Sequence, residues 1–245
     1  MSFSIVVPIK NQFKIVAMCL DSLFMNYSDK DIILIDDGST EENILKMLES
    51  SKELSNVRVF SNKTSFGHSF ACTAGIESSK NNVVFLLNSD TIVPKGSLDK
   101  LFDVLKDQKI AVVGPSTSSA TGPQMIQDAF KNRFVWNREA IEKYSEELSF
   151  QEQRIVDIDL VNGFCFGIKK NVFHEVGGFD PRLESYGNEK ELLIRIRKSG
   201  YRTVWVSNIY THHFGKMSYV HEPINISRAQ QDADRYILQK HGTLA

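Results

Sequence analysis

Val83-Val84-Phe85-Leu86-Leu87-Asn88-Ser89-Asp90 is the stretch on which the fold of this chain turns. A short, unbroken apolar run predicts a strand buried on both faces, as in a parallel sheet covered by helices. The run stops on an acid. Open α/β sheets bind their ligands outside the carboxyl ends of the strands, so Asp90 stands where such a fold works.

The flanks supply the rest of an α/β pattern. Residues 3–8, 31–35, 57–60 and 110–113 predict further strands. Between them, residues 11–25, 42–54, 69–78 and 97–106 carry helical patterns, with Thr40 a predicted N-cap for the second. Regular βα alternation with short connections predicts a single α/β domain over 1–245 with a mostly parallel, Rossmann-like central sheet. After Gly114-Pro115 the pattern breaks into a polar loop, 116–123, and a charged, weakly helical stretch, 124–153, with Phe130, Phe134, Trp136 and Tyr144. Strand-like character returns within 158–168 and at 203–206. Helices are predicted at 171–176, at 189–199 closed by Gly200, and at 224–241.

Bulk properties exclude several classes. The 245 residues are 42% hydrophobic and 24% charged with a net charge of -1, a soluble globular composition without a basic field for nucleic acid. No apolar run approaches the roughly 20 residues of a membrane span, and the first residues enter a strand with no signal-peptide pattern. A cytoplasmic protein is expected, with at most peripheral contact at the inner face of the membrane. Lys131, Arg133 and Arg138 form the one modest basic cluster. Cys19, Cys72 and Cys165 are scattered among apolar neighbours and have no zinc or disulfide spacing.

Four segments carry candidate chemistry, each with a structural alternative. Asp36-Asp37-Gly38-Ser39 ends the second strand; its carboxylates suit a ribose or base, and its residues equally suit a turn and cap. Asp90 is either a turn residue or a metal ligand. One carboxylate suffices for Mg²⁺ or Mn²⁺ when phosphate oxygens and water complete the shell. His212-His213 adds imidazole, a ligand better suited to Mn²⁺, and only one of the pair can face inward. Glu189 and Glu191 open a helix, where the dipole favours acids in any case. Two apart, they do not share a face, so at most one enters a site as general base. The chain has no GxGxxG after a strand, no GxxxxGK[ST] and no GxSxG.

Ser4-Ile5-Val6-Val7-Pro8, Ile35-Asp36-Asp37-Gly38-Ser39-Thr40, Leu87-Asn88-Ser89-Asp90-Thr91, Gly177-Gly178-Phe179-Asp180 and Tyr186-Gly187-Asn188-Glu189 occur in that order. Together with 192–201 (LLIRIRKSGY) and His213 with Ser218, they resemble the family 2 glycosyltransferases of the GT-A fold, bacterial polysaccharide and rhamnosyl-type enzymes in particular. The resemblance implies an inverting hexosyltransferase that takes a UDP-, dTDP- or GDP-linked sugar and passes it to a glycan or glycolipid hydroxyl. It implies donor contacts from Pro8, Asp36, Asp37, Ser65, Gly67, Asn88 and Ser89. It implies Mn²⁺ or Mg²⁺ on Asp90 and His213, and Glu189 as catalytic base. Residues 1–115 would form the nucleotide-sugar half and 116–245 the acceptor and catalytic half.

Departures from the family pattern are specific. Asn88 replaces the first acid of the DxD motif, Asn188-Glu189 replaces Glu-Asp, and Ser65 and Thr73 replace frequent asparagines. Two other classes remain open from sequence. A nucleotidyltransferase normally needs a Gly-rich loop after the first strand, and Pro8-Ile9-Lys10-Asn11-Gln12 has no glycine. A sugar-nucleotide or glycan-binding protein without transfer activity would explain the two asparagines but not the retention of Asp90 and Glu189.

Overall fold

The computed structural model describes residues 2–126, 137–184, 186–215 and 226–244. Phe130, Phe134, Trp136, Lys131, Arg133 and Ser218 therefore lie outside the described residues.

The amino-terminal half alternates as expected: β1 Phe3–Ile9, α1 Phe13–Asn26, β2 Asp31–Asp36, α2 Glu42–Ser51, β3 Val57–Ser61, α3 His68–Ser78 and β4 Val83–Leu87. A two-residue strand, β5 Thr91–Ile92, follows, then α4 Ser97–Val104 and β6 Ile110–Ser116. The second half runs α5 Arg138–Ser149, β7 Ile155–Asp157, β8 Cys165–Lys169, α6 Lys170–Glu175, α7 Asn188–Lys198, β9 Arg202–Tyr210, β10 His212–His213 and α8 Ile226–His241.

Eight strands form one sheet in the order β3-β2-β1-β4-β8-β6-β9-β7, and β10 pairs with β5 in a separate ribbon. Strands β3, β2, β1 and β4 are mutually parallel, and β6 is parallel to β9. Two elements break the parallel rule: β8 inserts antiparallel between β4 and β6, and β7 pairs antiparallel with β9 at the edge.

Alternate side chains of each central strand enter opposite cores. Ile5, Val7, Phe85 and Leu87 face α1, α4 and α5, whereas Val6, Val84, Leu86 and Phe166 face α3, α6 and α7. Helix α8 packs Ala233 and Ile237 on Leu183 and Ile194. A charged cluster reinforces that contact. Glu191 Oε1 accepts from Lys240 Nζ at 2.6 Å and His241 Nε2 at 2.9 Å, while Arg195 Nε donates to the same carboxylate. Asp180 accepts from Tyr236 Oη at 2.6 Å and Lys240 at 2.7 Å.

Two local expectations change. Thr40 does not cap α2; Glu41 holds the N-cap position and sends its carboxylate to Gln12 N and Phe13 N at the start of α1. That start needs outside help because Asn11 and Gln12 both adopt left-handed backbone. The polar loop at 116–123 begins as strand, and Ser116, Thr117 and Ser118 are buried rather than solvated. Tyr144 packs edge-on against buried Tyr210, ring centroids 4.9 Å apart. All three cysteines are buried free thiols, and burial pushes Cys19 and Cys165 up to about 12. Among the described residues no helix is long and apolar enough to cross a membrane.

Candidate functional site

The carboxyl ends of β1, β2 and β4 lie side by side, as the pairings Ile9↔Asp36 and Val6↔Leu86 require. At the end of β2 the two acids do different work. Asp36 is buried, and its Oδ1 accepts from Ser39 N at 2.9 Å, closing a tight turn. Asp37 accepts four hydrogen bonds: from Ser65 Oγ at 2.6 Å, Phe66 N at 2.8 Å, Gly67 N at 3.0 Å and Asn62 Nδ2 at 3.1 Å. Burial pushes its carboxyl up, but these donors outweigh burial and hold it below the usual range. Asp37, Ser65 and Gly67 therefore form a clamp that shapes the loop after β3. Gly38 makes the clamp fit: it has φ 76°, and a Cβ there would sit 2.7 Å from Ser65 N.

Asp90 is buried just beyond β4, and the β5–β10 ribbon brings His213 to it. Thr91 pairs with His213, and Phe214 N donates to Asp90 O at 3.0 Å. Nε2 of His213 then lies 3.3 Å from Oδ1 of Asp90. Ser119 O accepts from His213 Nδ1 at 2.6 Å, which leaves Nε2 of the neutral ring carrying the lone pair that faces Asp90. Phe164 stacks on the other side of the ring, centroids 5.1 Å apart. His212 turns the opposite way, buried beside Tyr210 Oη at 3.0 Å and Ser118 Oγ at 3.2 Å. Burial alone would push His213 down; the Asp90 charge beside it and its hydrogen bond to Ser119 O reverse that, and its net shift is upward.

This pair suits a divalent cation. Asp90 Oδ1 is buried and has no hydrogen-bond partner, an orphaned acceptor that a cation would satisfy. One carboxylate oxygen and one imidazole nitrogen fit Mn²⁺ and leave room for ligand oxygens and water. Among the described residues no cluster of three or more His, Cys, Asp or Glu could hold a metal.

Glu189 lies in a narrow recess lined by Pro8, Asn88, His68, Cys72, Gly163 and Phe179, among others. Burial raises its pKa and the His68 charge opposes, the net direction being upward. Glu191 points away into the α8 anchor, fully buried. Asn188 is also buried, donating to Ser69 Oγ at 2.9 Å, so it supports α7 and does not face the recess. Ser89, buried, separates Asn88 from Asp90. Asn88 N donates to Phe164 O at 3.0 Å, which ties the recess to the ring that stacks on His213.

The Glycosyl transferase family 2 model matches residues 4–177. This chain belongs to glycosyltransferase family 2. Human polypeptide N-acetylgalactosaminyltransferase 6 is 26% identical over 185 residues, covering 70% of this chain and 30% of that protein. Glycosyltransferase GlyG of Streptococcus pneumoniae is 29% identical over 111 residues, covering 45% of this chain and 37% of its own length. The family 2 chain thus spans about a third of these curated relatives. Its fold is that of GT-A glycosyltransferases. GalNAc-T7, solved with UDP, GalNAc and Mn²⁺, superposes with TM-score 0.67 at 20% identity over 87% of this chain and 44% of that one. The Pyrobaculum calidifontis mannosyltransferase PcManGT, solved with GDP-Man and Mn²⁺, gives 0.63 at 14% identity over 86% and 56%. S. aureus TarS residues 1–349 give 0.67 at 15% identity over 98% and 65%.

Sequence reasoning passed over His68, Cys72, Gly163, Phe164 and Ser119. His68 Nε2 lies 3.4 Å from Cys72 Sγ, one helical turn on, and both line the recess. Only the i, i+4 spacing of His68 and Cys72 was visible in the chain. Gly163, Phe164 and Ser119 carry no signal of their own.

Proposed function

We propose that this chain transfers a hexosyl group from a nucleoside-diphosphate sugar to an acceptor hydroxyl by a single inverting displacement. The observation that carries this is the placement of two acids at one end of the sheet: Asp90, paired with His213, and Glu189, partly buried in a recess that also contains Asn88 and Pro8.

In the proposed reaction Glu189 accepts the proton of the attacking hydroxyl. The hydroxyl oxygen bonds to the anomeric carbon as the bond from that carbon to the diphosphate oxygen breaks. The electron pair leaves with the diphosphate. General-base help of this kind is worth about 10²–10⁴-fold, and a raised pKa makes Glu189 a stronger base than an ordinary glutamate. Asp90 and His213 would hold Mn²⁺ or Mg²⁺, which when bound supplies charge to the leaving diphosphate. Asp37 holds the 62–67 loop in shape beside the nucleoside side of the donor, with Pro8 and Asp36 as neighbours. A glycan or glycolipid hydroxyl is the proposed acceptor, and family membership supports it.

A thermal-shift panel of UDP-, dTDP- and GDP-linked hexoses, with and without Mn²⁺, tests the donor assignment, because a ligand that binds the folded state raises the melting temperature by mass action. Stabilisation by one nucleotide class, enhanced by Mn²⁺, is expected. No response to any of them overturns the proposal.

A further inference from the structure

The carboxylate of Glu189 lies in a narrow recess and must be accommodated there. The structure puts it directly over the α-carbon of Gly163. A Cβ built on Gly163 would sit 1.9 Å from Glu189 Oε1, 2.8 Å from its Cδ and 3.3 Å from its Cγ. All three nearest atoms belong to the one side chain. Gly163 does not adopt left-handed backbone, so the chain there could carry any residue. What the position requires is the missing side chain.

The segment around Gly163 is held at both ends. Asn162 N and Nδ2 donate to Gln124 Oε1, each at 2.8 Å, and Asn162 Oδ1 accepts from Thr121 Oγ1 at 2.9 Å. Phe164 O accepts from Asn88 N at 3.0 Å, and the Phe164 ring stacks on His213. A rigid tripeptide thus touches the carboxylate of Glu189 with its middle residue and the Asp90–His213 pair with its last.

We infer that Gly163 is a positioning residue: its bare α-carbon seats the Glu189 carboxylate, and the flanking hydrogen bonds set where that carboxylate stands relative to Asp90 and His213. The inference rests on Glu189 being the base. A Cβ at 163 would force the carboxylate out of its seat, because backbone cannot yield at a segment pinned on both sides. Displacement of a reacting group by about 1 Å costs on the order of 10²-fold in rate.

The test is a double-mutant cycle of Gly163→Ala with Glu189→Asp. It measures nucleoside-diphosphate release with Mn²⁺ and the UDP-, dTDP- or GDP-hexose that stabilises the wild-type chain most, with Glu189→Gln as control. Gly163→Ala should lower kcat about 10²-fold with donor KM changed less than about threefold. In the Glu189→Asp background, where the shorter side chain can rotate clear, the cost of Gly163→Ala should shrink to less than about tenfold. If Gly163→Ala alone does not fold, folding of the double variant with the kcat of Glu189→Asp supports the same seat. Equal losses in both backgrounds, or full activity of Gly163→Ala beside an inactive Glu189→Gln, would overturn the role of Gly163 and leave the base intact. An active Glu189→Gln would instead remove Glu189 as base, and the inference with it.

Discussion

Nε2 of His213 stands 3.3 Å from Oδ1 of Asp90, with the imidazole 13% and the carboxylate 1% exposed. The oxygen makes no hydrogen bond, and the far ring nitrogen is committed to Ser119 O. In the proposed reading these two atoms would hold the cation, with the contact behind the imidazole already made.

Asp90→Ala is expected to abolish the Mn²⁺-dependent part of nucleotide-sugar binding, and His213→Ala to weaken it by at least about tenfold, the lower end of the cost of removing even a group that only orients a metal ligand. Isothermal titration with and without Mn²⁺ reads both. Unchanged, metal-dependent affinity in Asp90→Ala would remove the residue from the site.

Glu189 predicts a pH limb. Burial raises its pKa, with the His68 charge opposing, so the carboxyl stays protonated to a higher pH than an ordinary glutamate. A protonated Glu189 cannot accept the hydroxyl proton. The rate should therefore fall as pH drops through a value above the normal glutamate range, and a kcat/KM profile should show that limb. A profile flat down to about pH 4 would count against the assignment.

The neighbouring acid has the opposite character. Glu191→Ala leaves Arg195, Lys240 and His241 without their shared carboxylate and should cost about 3–5 kcal/mol of stability. Glu189→Gln, which removes no such partner, should change stability by less than about 1 kcal/mol. Urea denaturation of the two variants reads the difference.

Acid should loosen the α8 anchor. Burial pushes Asp180 and Glu191 up, but Lys240, Tyr236 and Arg182 around the first, and Arg195, Lys240 and His241 around the second, hold both below their ordinary values. For such groups the unfolded chain binds more protons between the two pKa values. Their contribution is complete above the ordinary carboxylate range and is lost as pH falls below it through the depressed values. Melting temperature should decline below about pH 4, and less steeply in Lys240→Met.

Asp37→Ala should act on the loop it clamps. Four donors lose their acceptor, so stability should fall by about 3 kcal/mol. Donor KM should rise at least about tenfold while kcat changes less, since the loop is assigned to donor binding and not to the proton transfer. An unchanged KM would show that the loop shape does not matter to the donor.

Local pattern was enough for much of this protein. Apolar runs and their spacing determined the βα alternation through β6, the burial of both sheet faces and the strand end at Asp90. Adjacency in the chain also showed that His212 and His213 would face opposite ways and that Glu189 and Glu191 would not share a face. Only the tertiary structure decided which of each pair faces the candidate site: His213 lies beside Asp90 because β10 pairs with β5, and Glu191 is held away from the recess by Lys240, His241 and Arg195. It also decided that β8 would insert antiparallel beside β4, and that Asp37 would hold a loop with four hydrogen bonds. The division has one physical cause. Periodicity and turn chemistry act between neighbours in sequence. The saturation of a carboxylate, the approach of an imidazole and the need for a bare α-carbon at Gly163 depend on groups far along the chain, which meet only when the sheet has formed.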